Sequence, residues 1–75
     1  MKDQALYLIH ILESAVRIEE YTRLGKEAFD HSPMAQDAVI RKLEIIGEAA
    51  KRVDQWFRDA HPDVPWRRMA GLRDV

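Results

Sequence analysis

The residues with chemistry to offer are three histidines, a set of arginines and lysines weighted toward the second half, two tryptophans and scattered carboxylates. An imidazole changes charge near neutral pH and can move a proton, so the histidines come first. His10 lies inside an otherwise apolar stretch and reads as a packing residue with a hydrogen bond. His31 falls in a connector, and His61 precedes Pro62 at a helix end, where a cation suits the dipole. With no cysteine in the chain, disulfides and thiolate zinc sites are excluded, and the scattered histidines argue against a closed metal site. Lys51, Arg52, Arg58, Arg67, Arg68 and Arg73 could present a basic patch to a nucleic acid. The interspersed Asp54, Asp59 and Asp63 favour an ordinary solvated face instead. Trp56 and Trp66 could stack on bases, although their neighbours point to core positions. Glu48 has Arg41, Lys51 and Arg52 at helical spacing and reads as a surface charge on that basis.

These side chains need elements to hold them, and the principal one is the stretch from Asp37 to Ala60. Val39, Leu43, Ile46, Ala50, Val53 and Phe57 recur at helical spacing, with Ala38, Ile45, Ala49, Trp56 and Ala60 beside them. The stripe is too wide for a two-stranded seam and suits a helix packed against several neighbours. Gly47 interrupts its apolar side, where a helix loses about 1 kcal/mol relative to alanine, so something is expected to pack close to the backbone there. Ser32 and Pro33 form a start signal, because serine accepts from free N–H groups and proline at the first helical position gives up no bond. The expected helix runs from about Pro33 to Ala60, where His61-Pro62 ends it.

Upstream, Lys2 to about Arg23 is amphipathic. Asp3 is a plausible N-cap, and Ala5, Leu8, Leu12 and Ala15 with Ile9, Ile11, Val16 and Ile18 form its buried side. Glu13 and Arg17 stand at ion-pair spacing, and Gly25 suits a left-handed C-terminal position. Lys26 to His31 is a connector with one helical turn that tucks Phe29 inward. Beyond Pro62, a short helix over Pro65 to Ala70 turns Trp66 and Met69 toward the core. Gly71 punctuates, and Leu72 to Val75 reads as the start of another helix.

The chain has 75 residues, 47% of them hydrophobic and 33% charged, which describes a folded, helix-rich single domain over 1–75. A chain of this size buries only about 60% of its unfolded surface, so help from a partner subunit is expected. The net charge of −1 gives no whole-molecule attraction to nucleic acid, so an RNA contact would be local. No run approaches the roughly 18 apolar residues that span a bilayer. No membrane association and a cytoplasmic location are therefore the expectation.

At this level of detail the sequence resembles the HEPN-domain proteins of the HepT-like type, toxin ribonucleases of bacterial and archaeal toxin–antitoxin modules. The resemblance rests on Ala38 to Arg52 (AVIRKLEIIGEAAKR), on His61-Pro62-Asp63-Val64-Pro65-Trp66, and on Met69 to Asp74 (MAGLRD), and it covers nearly the whole chain. It implies an all-α, antiparallel four-helix up-down bundle that dimerises, with a metal-independent RNA-cutting site at the dimer cleft and no cofactor. The family motif is an arginine, a polar neighbour, and a histidine about four to six residues beyond the arginine on one helix face. Arg73 matches the arginine and Asp74 the polar residue, and Glu48 could turn toward the motif arginine in a supporting role. The histidine would fall about three residues past Val75, and the tyrosine that a partner nucleotidyltransferase modifies with AMP would follow it.

The spacing itself makes chemical sense. A guanidinium can grip a phosphate in bidentate fashion while an imidazole one turn away transfers protons, so the 2′-hydroxyl of RNA attacks its own phosphodiester. The resemblance thus implies a C-terminally truncated member, lacking most of its last helix and inactive by itself. Its exposed apolar stripe favours a homodimer or larger assembly, and a nucleotidyltransferase-type antitoxin is the implied partner. The alternative is a non-catalytic helical module for dimerisation or antitoxin binding.

Overall fold

Ser32 starts the principal helix as its type suggests: its hydroxyl oxygen accepts the Ala35 N–H at 3.2 Å, and Pro33 follows in the first turn. In the computed structural model, which describes residues 4–74, this helix is α3, Pro33–Arg52. It is preceded by α1 (Gln4–Tyr21) and α2 (Lys26–Asp30). It is followed by α4 (Gln55–Ala60), α5 (Trp66–Gly71) and a 3-10 turn over Leu72–Asp74. The described residues contain no strand, so the fold is an all-α helical bundle. Lys2, the N-cap candidate Asp3 and Val75 lie outside the described residues.

The long helices α1 and α3 run antiparallel. The start of α1 meets the end of α3, where the Gln4 side-chain oxygen accepts the Asp54 N–H at 2.7 Å. Helix α5 and the 3-10 turn also pack on α3. The buried core belongs to α3 and its C-cap: Val39, Ile46, Ala49, Ala50 and Val53. Burial on this scale contributes about 25 cal/mol for each Å² of apolar surface removed from water.

The long helix is shorter than its periodicity suggests. It stops at Arg52, and Val53 takes an extended conformation with its side chain only 1% exposed. A new helix starts after Asp54, whose carbonyl accepts the N–H groups of Phe57 and Arg58 at 3.1 Å. The stripe survives the break because Val53 and Phe57 both still face inward, so the hydrophobic pattern carries no mark of it. The Gln4 side chain holds the broken point by taking a backbone N–H that α3 has given up.

Other expectations are modified. Helix α1 ends at Tyr21, and Gly25, at φ 95° and ψ 178°, opens α2 rather than closing α1. That backbone region admits essentially only glycine. Helix α2 is the expected single turn, with Phe29 half-buried. Arg17 pairs with Glu20 at 3.0 Å instead of Glu13. Most consequentially, Ile9 (49%), Leu12 (64%) and Val16 (43%) are exposed, whereas Leu8, Ile11, Ala15 and Ile18 are half-buried and Ser14 is buried. Trp56 is 64% exposed rather than a core residue. Its indole N–H donates to Asp54 at 3.2 Å, and its ring meets the edge of Phe57. No helix among the described residues is long and apolar enough to cross a membrane.

Candidate active site

Glycine at position 47 positions the site. It is buried on α3, and a Cβ built there would overlap the backbone nitrogen of Arg73 and stand 3.0 Å from that residue's Cα and Cβ. The backbone of the 3-10 turn therefore lies directly on the backbone of α3, as close as two chains approach without a side chain between them. This is the close neighbour that the helix-breaking residue demands. Pro65 and Trp66 bring the chain back to make the contact. The Trp66 indole N–H donates to the His61 carbonyl at 3.0 Å, and Phe57 packs against both His61 and Trp66.

Seated there, the Arg73 guanidinium faces the next residue of α3. Its Nη1 lies 3.6 Å from a Glu48 carboxylate oxygen, and its Nε lies 3.8 Å from Asp74. The other Glu48 oxygen is 3.6 Å from Arg52 Nη2. Glu48 thus lies between Arg73 and Arg52 of its own helix. These separations are longer than hydrogen bonds, and the side chains are partly exposed, so each pair contributes at most about 1 kcal/mol. The row of two guanidiniums about one carboxylate leaves donor capacity for an arriving anion.

Arg73, Glu48 and Arg52 form part of the wall of a cleft of about 410 Å³ between α1 and α3. Tyr7 and His10 line it from α1, and Arg41, Glu44 and Ile45 line it from α3. A second, wider depression of about 810 Å³ continues along the same groove, past His10 and Ile45, to Glu13, Arg17 and Lys42. The Glu20 carboxylate beside Arg17 raises that already strong base further, by hydrogen bonding and by charge. Among the described residues, no group of three or more histidines, cysteines or carboxylates is arranged to hold a metal ion.

His10 corrects its sequence reading. It is exposed rather than packed, and it has no hydrogen-bond or ion-pair partner among the described residues. His31 and His61 stay away from the cleft. His31 donates from Nδ1 to the Glu27 carbonyl at 2.8 Å, and His61 lies with its ring centroid 4.5 Å from that of Phe57. Of the expected basic patch, only Arg52 and Arg73 line the cleft. Tyr7 and Arg41 were missed as site residues. Their signal was spacing: Tyr7 and His10 stand three apart on α1, and Arg41, Glu44, Glu48 and Arg52 run along one side of α3.

The profile of the family described as "Ribonuclease HepT-like" matches residues 11–75. A Methanocaldococcus jannaschii protein named "Gamma-glutamylcyclotransferase and putative RNase" is 48% identical over 75 residues, which cover 99% of this chain and 34% of that protein. A "Putative RNase" of the same organism is 43% identical over 99% of this chain and 69% of its own length. A "Probable ribonuclease HepT" of Thermococcus cleftensis is 49% identical over 69 residues, 91% of this chain and 63% of that protein. The chain therefore spans between about a third and about two thirds of the length of these relatives. No solved structure gives a significant match.

Proposed function

Since the chain belongs to the HepT-like ribonuclease family, we propose that Arg73 is the phosphate-binding arginine of a metal-independent RNA endonuclease. The observation that carries this reading is the placement of Arg73: its backbone is seated on Gly47, and its guanidinium is on the rim of a cleft with only loose carboxylate partners. In the proposed reaction a base takes the proton of a ribose 2′-hydroxyl, whose oxygen attacks the adjacent phosphorus. The bond to the 5′-oxygen breaks, and an acid protonates that oxygen. The products are a 2′,3′-cyclic phosphate and a free 5′-hydroxyl. Two guanidinium N–H groups at the non-bridging oxygens stabilise the added negative charge of the transition state. Asp74 orients the guanidinium through its contact with Nε. Glu48 holds the same group from the α3 side until substrate displaces it.

By the family resemblance, the imidazole of this reaction stands about three residues past Val75, and we propose that the 75 residues alone do not cut. The same proposal extends to assembly. Two copies pair so that their clefts adjoin, with the exposed Ile9, Leu12 and Val16 of α1 supplying apolar contact area. A nucleotidyltransferase-type antitoxin restrains the toxin in the cytoplasm. The test is an RNA-cleavage assay in chelator, on the 75-residue chain and on a form continuing through the family's next helix. Cleavage is expected only from the longer form, and Arg73→Ala lowers its rate by about 10²–10³, the loss typical of a removed charge-stabilising donor. An undiminished rate in the Arg73→Ala variant overturns the assigned role. A longer form that never cuts overturns the ribonuclease reading in favour of a binding module.

A further inference from the structure

The segment from His61 to Trp66 puts no group into the proposed cleavage, yet it is tied to itself at one atom. The His61 carbonyl oxygen accepts the Val64 N–H at 3.2 Å and the Trp66 indole N–H at 3.0 Å, which occupies both of its lone pairs. The Trp66 backbone N–H donates to the Val64 carbonyl at 2.8 Å, and Pro62 and Pro65 each fix a backbone dihedral in between. Phe57 fastens this clasp to α4. Its ring centroid lies 4.5 Å from that of His61 and 6.1 Å from that of Trp66, which it meets edge to face.

Helix α5 needs such a tie, because none of its six residues is fully buried and so no side chain of its own anchors it deep in the core. Trp66, Met69 and Ala70 are only half-buried. Its fixed points stand at its two ends: the clasp at Trp66, and the seat of the Arg73 backbone on Gly47 just past Gly71. A short helix held at one point can pivot, whereas one held at both ends cannot. We propose that Trp66 is a positioning residue for Arg73: its indole N–H, held by the His61 carbonyl, fixes where α5 starts and hence where the guanidinium is presented, about two helical turns later. The inference rests on the ribonuclease reading for its effect on rate. It goes beyond that reading in giving Trp66 a role exercised through the backbone, without contact with RNA.

Trp66→Phe is the test, since it keeps a ring for Phe57 to pack on and deletes only the N–H donor. In the 75-residue chain, hydrogen exchange is followed by NMR at two amides. One is Leu72, whose N–H donates to the Met69 carbonyl where α5 passes into the turn, and the other is Ile46 in the middle of α3. Leu72 is expected to exchange about fivefold faster in the variant, the effect of one neutral hydrogen bond, while Ile46 is unchanged and the Arg73 amide resonance shifts. In the form continuing through the family's next helix, kcat is expected to fall about tenfold, within the roughly hundredfold that a displacement of about 1 Å can cost. In an Arg73→Ala background the same substitution lowers it no further. Equal acceleration at Leu72 and Ile46 makes the clasp a general contributor to stability and overturns the inference, as does an unchanged Leu72 or an undiminished kcat. A rate loss of the same factor with and without Arg73 also overturns it, because Trp66 then acts on RNA or on the fold without the arginine. A longer form that never cuts removes the ribonuclease reading, and the exchange result alone then decides whether Trp66 places Arg73.

Discussion

Replacing Gly47 with alanine probes the contact on which the site depends. In an exposed helix interior the change would stabilise by about 1 kcal/mol, because alanine is the better helix former and its unfolded chain has less freedom to lose. Here the added methyl meets the Arg73 backbone nitrogen. A backbone, unlike the end of a long side chain, cannot rotate aside, so the 3-10 turn has to move as a unit. Overpacking of this kind costs about 1–3 kcal/mol. The two effects combine to a net destabilisation of about 1 kcal/mol, a fall in Tm of roughly 4–8 °C for a chain this size. Gly71 supplies the control, since a Cβ there meets nothing within 4 Å and the residue is not in the positive-φ region. Gly71→Ala shares the unfolded-state term and lacks the clash, so it is expected to stabilise by about 0.5–1 kcal/mol. Thermal and urea unfolding of the two variants measure the difference, and the backbone amide shift of Arg73 reports whether the turn has moved. If Gly47→Ala matches Gly71→Ala in stability and leaves the Arg73 amide where it was, the close approach does not position the arginine and the reasoning fails.

Two further outcomes test the frame around the site. Ser32→Ala removes the acceptor that caps α3 and is expected to cost about 1 kcal/mol, with Ser32→Asp retaining most of the stability; chemical denaturation decides. Val53 and Trp56 flank the break after α3 and should behave oppositely to their sizes. Val53→Ala empties a site that is 1% exposed and costs roughly 2 kcal/mol, whereas Trp56→Ala acts on a ring 64% exposed and costs less than about 1 kcal/mol. A larger loss at Trp56 would show that its ring is covered in solution.

Much of α3 was legible because each signal was local and redundant. Ser32 and Pro33 announce the start, and the apolar residues from Val39 to Ala50 share one phase. Gly47 is costly enough in a helix that only a close neighbour explains it. The end of α3 was not legible, since Val53 and Phe57 keep the stripe in phase on both sides of the break. What ends the helix is partly a side chain from the far end of α1, where Gln4 takes the Asp54 N–H. A bond between residues fifty positions apart leaves no trace in local periodicity.

The face presented by α1 was hidden for a different reason. Residues from Ala5 to Ile18 are apolar around most of the circumference, so several rotations of the helix bury comparable area. Packing selected the one that places Ser14 against the core and turns Ile9, Leu12 and Val16 outward. That rotation also brings His10 and Tyr7 into the cleft with Arg73. By itself, then, the sequence determined an all-helical chain, the start and phase of its main helix, and the need for a close approach at Gly47. Tertiary structure alone decided that Arg73 makes that approach and which side of α1 meets it, because helix rotation and chain crossing are set by the total burial of all elements together and by no single segment.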